Sequence, residues 1–340
     1  MKPERPYYLR FSIFVLLLAT CFLVNIGLGS VDIPFGKVCA VLSGGTSGRP
    51  SWDYIILHYR LPKALTAAFS GCGLAVSGLM MQTLFRNPLA GPFVLGISSG
   101  ASLGVALLIM GASSLGISLF TSGLSLAVAA TAGSFLVLLA VMAVAFRIKD
   151  TMAILIIGLM FGSITSAVVS VLSYFSSAEK LQQYIFWSFG SLGNLGWDEL
   201  IILSVLLLTG ILMSIFCIKN LNALLLGETY ASSLGMNIRR NRIVLILATS
   251  ILAGGITAFA GPVSFIGLAV PHLTRQVFNT TNHRILLPAV ILYGAILMLV
   301  CDTIAQWPAS DDTLPINAIT SLVGAPVVVW LLVRKRRMIF

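Results

Sequence analysis

The side chains able to do chemistry are few and scattered. His58, His272 and His283 are too dispersed for a metal site, and Cys21, Cys39, Cys72, Cys217 and Cys301 contain no C-x-x-C pair, so neither a metal knuckle nor a disulfide framework is indicated. Met80 and Met81 are neighbours, and adjacent helical residues do not share a face, which makes packing their default use. No G-x-x-x-x-G-K-S/T occurs, and the lone Gly36-Lys37 is followed by Val38; ATP hydrolysis by a phosphate-cradling loop is excluded. H-E-x-x-H and paired carboxylates on adjacent helical turns are also missing, which argues against an intramembrane protease or lipid transferase. None of the eleven carboxylates sits clearly at mid-span, where an ion- or proton-coupled secondary transporter needs one. Asp302, within about one turn of the end of an apolar run, reads as a capping or pairing group, with a proton relay as the alternative.

The elements that carry these residues are apolar. Hydrophobic residues make up 58% of the 340, charged ones 9%, and mean hydropathy is +1.00, which describes an all-α polytopic membrane protein. Runs at 11–28, 64–85, 93–111, 119–146, 152–174, 199–218, 243–260, 263–278, 285–305 and 316–333 predict about ten transmembrane helices, the shortest marginal against a span of about 17–25 residues. With the N-terminus inside, sixteen Lys and Arg fall in inner segments and five in outer ones, which places both termini in the cytoplasm. The net charge of +10 follows from this bias, with no aromatic-interleaved basic patch to bind nucleic acid. The run Phe11–Leu28 behind Lys2, Arg5 and Arg10 is longer than a usual signal h-region and is expected to stay as the first helix.

One helix is bracketed at both ends. Leu61 to Phe85 is 25 residues, roughly 37 Å, enough to cross about 30 Å of hydrocarbon. Pro62 suits its first turn, while Pro88 and Pro92 cannot continue it. Gly96, Gly100 and Gly104 repeat at four-residue spacing, as do Gly158 and Gly162, a pattern that lets helix backbones approach closely. Two segments are too polar to span. Residues 178–190 predict a short helix at the outer interface, with Trp187 and Trp197 suited to that depth, and 221–240 predict two short helices on the inner side, broken at glycine. Ala90-Gly91-Pro92-Phe93 is echoed by Ala260-Gly261-Pro262-Val263 at the junctions of spans two to three and seven to eight, a hint of an inverted repeat.

Arg60-Leu61-Pro62-Lys63, Ser77-Gly78 with Met81-Gln82, and Asn87-Pro88-Leu89-Ala90 in this order resemble the FecCD family, the membrane permeases of ABC importers for iron-siderophores, haem and vitamin B12. Leu226-Gly227-Glu228, Leu234-Gly235, Phe265-Ile266-Gly267-Leu268 with Pro271-His272, Arg275, Leu314-Pro315 and Gly324-Ala325-Pro326 extend the likeness over nearly the whole chain. The resemblance implies a type II ABC importer permease fold, with 1–340 as a single permease domain and a pseudo-twofold relating the second to fifth helices to the seventh to tenth. It implies a homodimer in the bacterial cytoplasmic membrane, two ATP-binding subunits, a substrate-binding protein on the outer side and membrane lipid around it. The chain itself binds no cofactor, since ATP and Mg2+ belong to the ATPase.

The resemblance also assigns roles. Leu226, Gly227, Glu228, Ala231, Leu234 and Gly235 match the helices that couple to the ATPase, Ala231 and Gly235 allowing close approach and Glu228 offering a charge to a basic rim. Arg60 and Lys63 match cations that dock the binding protein. A third docking position, usually Arg, reads Gln306 here. Asn87 and Leu89 match one cytoplasmic gate; Thr151 and Met152 align with another, Met152 replacing a small hydroxyl residue. Siderophore, haem and cobalamin permeases share these motifs, and an iron chelate or haem is the favoured cargo.

Overall fold

The computed structural model describes residues 7–111, 123–145, 151–306 and 313–333, and among them it contains helices and loops but no strand. The helices are α1 Tyr7–Gly27, α2 Phe35–Leu42, α3 Pro50–Ile55, α4 Leu61–Leu84, α5 Ile97–Ala106, α6 Gly123–Ala145, α7 Thr151–Tyr174 and α8 Ala178–Ser188. Then follow α9 Trp197–Phe216, α10 Ile218–Leu225, α11 Glu228–Ser233, α12 Ile238–Ala260, α13 Ile266–Phe278, α14 His283–Ala305 and α15 Ile316–Val333. Seven helices in the described residues have the length and apolarity of a membrane crossing, and two shorter apolar ones cover Ile97–Gly111 and Ile316–Trp330. With the 13-residue α13 these occupy the ten predicted segments, although length and composition alone qualify seven of them.

The start of α4 differs from its sequence reading. Instead of beginning at Leu61, the helix runs in from α3 through a π turn at Ile56–Arg60, in which Leu61 N–H bonds to the Ile56 carbonyl. A proline cannot donate, and its ring crowds the carbonyl four residues back; a wider turn placed just before Pro62 accommodates both. The same shift leaves the Leu57 carbonyl without its usual donor at Leu61 or a replacement at Pro62. The indole Nε1 of Trp197 fills that role, donating to Leu57 O at 3.1 Å and fastening α9 to the π turn.

α4 is the hub. Every residue from Ser70 to Leu84 is buried, as befits a helix lined with small and apolar residues on all sides. α12, α13 and α14 pack around it, with α9 and α1 beyond. Two glycine contacts set the closeness: a Cβ on Gly71 would collide with the Gly294 carbonyl of α14, and one on Gly78 with the Gly267 carbonyl of α13. Pro271 removes the donor that Gly267 would otherwise have within α13, so a carbonyl freed by proline faces an α4 position without a side chain. In the other half Gly100 and Gly104 of α5 lie against Gly133 and Ala129 of α6, the packing use of the small-residue spacing.

Crosswise packing joins the halves: α4 rests on α13 and α14, and α12 rests on α5 and α6. After each of the two echoed Ala-Gly-Pro segments the next helix starts from a left-handed residue, Gly96 (φ 73°) before α5 and Phe265 (φ 62°) before α13. α1 is integral to this body. Phe14 meets Tyr293 edge-on at 5.3 Å between ring centres, and Phe11 and Phe14 both pack on Phe278.

Candidate functional site

The residues singled out by sequence fall at the two ends of α4. At the end where α4 starts, Asp302 of α14 collects two of them, Lys63 and Gln306, together with Asn25 of α1. Its Oδ1 lies 3.4 Å from Lys63 Nζ, and its Oδ2 accepts from Gln306 Nε2 at 2.6 Å and from Asn25 Nδ2 at 2.9 Å. Asn25 also donates to Thr303 Oγ1 at 3.1 Å. Asp302 is 3% exposed, and a carboxylate so buried requires this ring of donors. The pairing role read for Asp302 is the one the geometry supplies.

Arg60 is spent differently. It is 8% exposed, and its guanidinium donates to the carbonyls of Ile26 and Gly27 at 3.0 Å each and to that of Val31. These are the last carbonyls of α1 and the loop behind it, groups that a helix end leaves without partners. Its five fixed donors suit such a cluster. The side chain therefore points inward, pinning the α1–α2 loop, while Lys63 and Gln306 reach the surface. Lys63 stands between two cavities, one of about 300 Å³ lined by Val31, Tyr59, Arg60, Gln306 and Thr313 among others, the second of about 470 Å³ bounded by Phe186, Phe189, Asn194 and Leu314. The neighbouring Asp311 and Asp312 lie outside the described residues.

At the opposite end, α4 stops in a Schellman-like turn. Arg86 adopts φ 46°, and Asn87 N–H returns to the Gln82 carbonyl at 3.1 Å, satisfying a terminal acceptor. Asn87 Oδ1 accepts from Leu89 N–H at 2.9 Å, a local turn that holds Asn87 half-buried and Leu89 exposed. Thr151 and Met152 open α7, and their side chains lie outside the described residues.

Beside this end sit the two short helices α10 and α11, separated at Gly227 (φ 109°) and closed by Gly235 (φ 83°). Glycine takes these left-handed values without the penalty a Cβ brings. Leu226 and Leu234 are each 64% exposed and Tyr230 is 51% exposed, whereas Ala231 is fully buried. The apolar surface is thus presented by Leu226, Tyr230 and Leu234, and Ala231 packs inward. Glu228 pairs with Arg242 of α12 at 3.2 Å, bracing α11. Cys217, at the α9–α10 junction, is buried in the main hydrophobic core and serves as a packing residue.

A buried polar cluster links this region to α4, and its pairings had no local cue in the sequence. Gln82 Oε1 accepts from Arg275 at 2.6 Å while its Nε2 donates to the Leu268 carbonyl at 3.0 Å. Thr83 Oγ1 meets His283 Nε2 at 2.9 Å, and His283 Nδ1 meets Asn222 Oδ1 at 2.8 Å. Among the described residues no group of three His, Cys, Asp or Glu could hold a metal ion. What the arrangement offers is a buried polar cluster at each of the two ends of one buried helix.

Comparison with known proteins gives a family. The model of the FecCD transport family matches residues 16–334. The hemin transport system permease protein HmuU of Yersinia pestis is 36% identical over 335 residues, covering 96% of each chain. The vitamin B12 import system permease protein BtuC of Salmonella typhi is 37% identical over 287 residues, 84% of this chain and 85% of that one. Among solved structures, an inward-facing conformation of a metal-chelate type ABC transporter superposes with a TM-score of 0.83 at 31% identity, covering 94% of this chain and 97% of that one. PsaBC from Streptococcus pneumoniae, at 17% identity and a TM-score of 0.53, shares the fold alone.

Proposed function

This chain belongs to the FecCD transport family, and from that premise we propose that it is the permease subunit of an ATP-driven importer of metal chelates, with haem the first cargo to test. The observation that carries the reading is the agreement over nearly the whole chain with permeases named for hemin and vitamin B12. Two copies form the path in the cytoplasmic membrane. Two separate ATPase subunits bind ATP and Mg2+ below it, and one binding protein delivers cargo above.

In this reading the Lys63 end of α4 faces outward and the Thr83 end faces the cytoplasm. The exposed Leu226, Tyr230 and Leu234 form an apolar knob for a cleft on the ATPase, since an exposed apolar patch of this kind marks an interaction surface. Lys63 and Gln306 meet the binding protein, with Arg60 holding the loop beside them in place. Asn87 and Leu89, with Thr151 and Met152, close the path on the cytoplasmic side. ATP binding and hydrolysis switch access between the two sides.

Reconstitution tests this. Proteoliposomes containing the full complex, offered hemin, a ferric siderophore or cobalamin separately, are expected to accumulate hemin or the iron chelate only with ATP and the binding protein present. Accumulation against a gradient by the chain alone would overturn the reading in favour of an ion- or proton-coupled carrier.

A further inference from the structure

α10, α14 and α4 meet at a single imidazole. His283, the first residue of α14, is 1% exposed. Asn222 of α10 receives two hydrogen bonds from it on one oxygen, the backbone N–H at 2.9 Å and ring Nδ1 at 2.8 Å. An amide oxygen only accepts, so a ring hydrogen sits on Nδ1. Nε2 faces the Thr83 hydroxyl at 2.9 Å, whose single hydrogen also has the Leu79 carbonyl at 2.9 Å as an acceptor. The amide of Asn222 then donates to Asn282 Oδ1 at 3.1 Å, the same oxygen that caps α14 by accepting from Arg284 N–H at 3.0 Å.

Thr83 lies in the last turn of α4, four residues before Asn87. It is 1% exposed, and so is unable to exchange His283 for water. The Arg86 side chain, just beyond α4, also comes near the α10–α11 break: a Cβ built on Gly227 would lie 3.7 Å from its guanidinium nitrogen. The apolar residues Leu221 and Leu224 also hold α10 in the body, but hydrophobic contact is non-directional and tolerates sliding. A buried chain of directional bonds does not: separating its members leaves polar groups unpaired.

We propose that His283 is a positioning residue that carries displacement of α10 and α11 to the Thr83–Leu89 end of α4, through Asn222 on one side and Thr83 on the other. The inference rests on the reading of the chain as a permease worked by an ATPase seated on α10 and α11. It assigns transmission to hydrogen bonds among three helices, and the chemistry demanded of residue 83 is a hydroxyl.

The test uses the full complex in proteoliposomes, with hemin uptake and ATP hydrolysis measured on the same preparation. Thr83→Val keeps the shape and removes the hydroxyl; His283→Ala removes both ring contacts. Uptake per ATP hydrolysed is expected to fall about fivefold or more in each, the lower bound of ordinary coupling between sites, while Thr83→Ser stays at the wild-type ratio. A merely structural role would lower the yield of folded complex and leave that ratio alone. Should His283→Ala fail to assemble, the isosteric Thr83→Val decides by the same ratio. An unchanged ratio in Thr83→Val beside a wild-type complex that transports overturns the relay and spares the permease reading. A wild-type complex that shows no ATP-dependent uptake of hemin, ferric siderophore or cobalamin overturns both.

Discussion

Lys63 and Asp302 face each other across the start of α4 and the end of α14, 3.4 Å apart, with the carboxylate 4% and the lysine 20% exposed at their side chains. The lysine is therefore compensated within its own chain before any partner approaches. A partner carboxylate that engages Lys63 competes with Asp302, which sets register and selectivity more than it adds affinity.

The pair is expected to stabilise the fold. Asp302→Asn and Lys63→Met should each cost about 1–3 kcal/mol, since each leaves polar groups of a mostly buried network without their partner. The double variant should cost clearly less than the sum, because the two side chains share one interaction. Thermal unfolding in detergent of the four proteins checks this, and strict additivity would show that the contact contributes nothing.

The glycine seam gives a sharper contrast. Gly71→Ala and Gly78→Ala place a methyl group against the carbonyls of Gly294 and Gly267. Backbone has to move to admit it, so each change should cost about 3 kcal/mol or more, at the upper end of ordinary overpacking. Gly36→Ala, with nothing within 4 Å of the added carbon, should be neutral. The fraction of monodisperse protein in size-exclusion chromatography separates the two outcomes.

Leu226→Asp and Leu234→Asp test the apolar knob. Both positions are 64% exposed, so the unpartnered chain should keep its thermal stability within about 0.5 kcal/mol, as surface changes usually do. Binding to the ATPase should weaken by about tenfold or more, as expected for an apolar contact truncated at about 1.4 kcal/mol or above. Gly235→Trp, in open space but at φ 83°, should likewise uncouple uptake from hydrolysis in protein that still inserts. Co-purification and uptake assays read these effects.

The helices were legible because local hydropathy reports them. The break between α10 and α11 was legible at glycine, and α8 as a short helix through its polarity. The start of α4 was hidden: Leu61-Pro62 obeys the local rule for a helix beginning, and only the Trp197 indole, supplied from α9, makes the π turn complete. Distance in sequence concealed the rest. Asp302 meets Asn25 across 277 positions and Gln82 meets Arg275 across 193, and no pattern within a window can report such pairs. Arg60 has the composition of an exposed cation at a helix mouth; its direction is set by where the chain after α1 returns. The close-packing role of Gly71 and Gly78 has no signature in a helix full of small residues, whereas Gly96, Gly100 and Gly104 stand out by their regular interval.

The seam between α4 and its neighbours also limits what the molecule tolerates. Where main chain touches main chain there is no side-chain cushion to absorb a slip, and at Gly71 and Gly78 α4 is seated directly on the backbones of α14 and α13. A methyl group added there is met by the neighbouring helix's own backbone, so the fault spreads beyond α4 into the helix it touches.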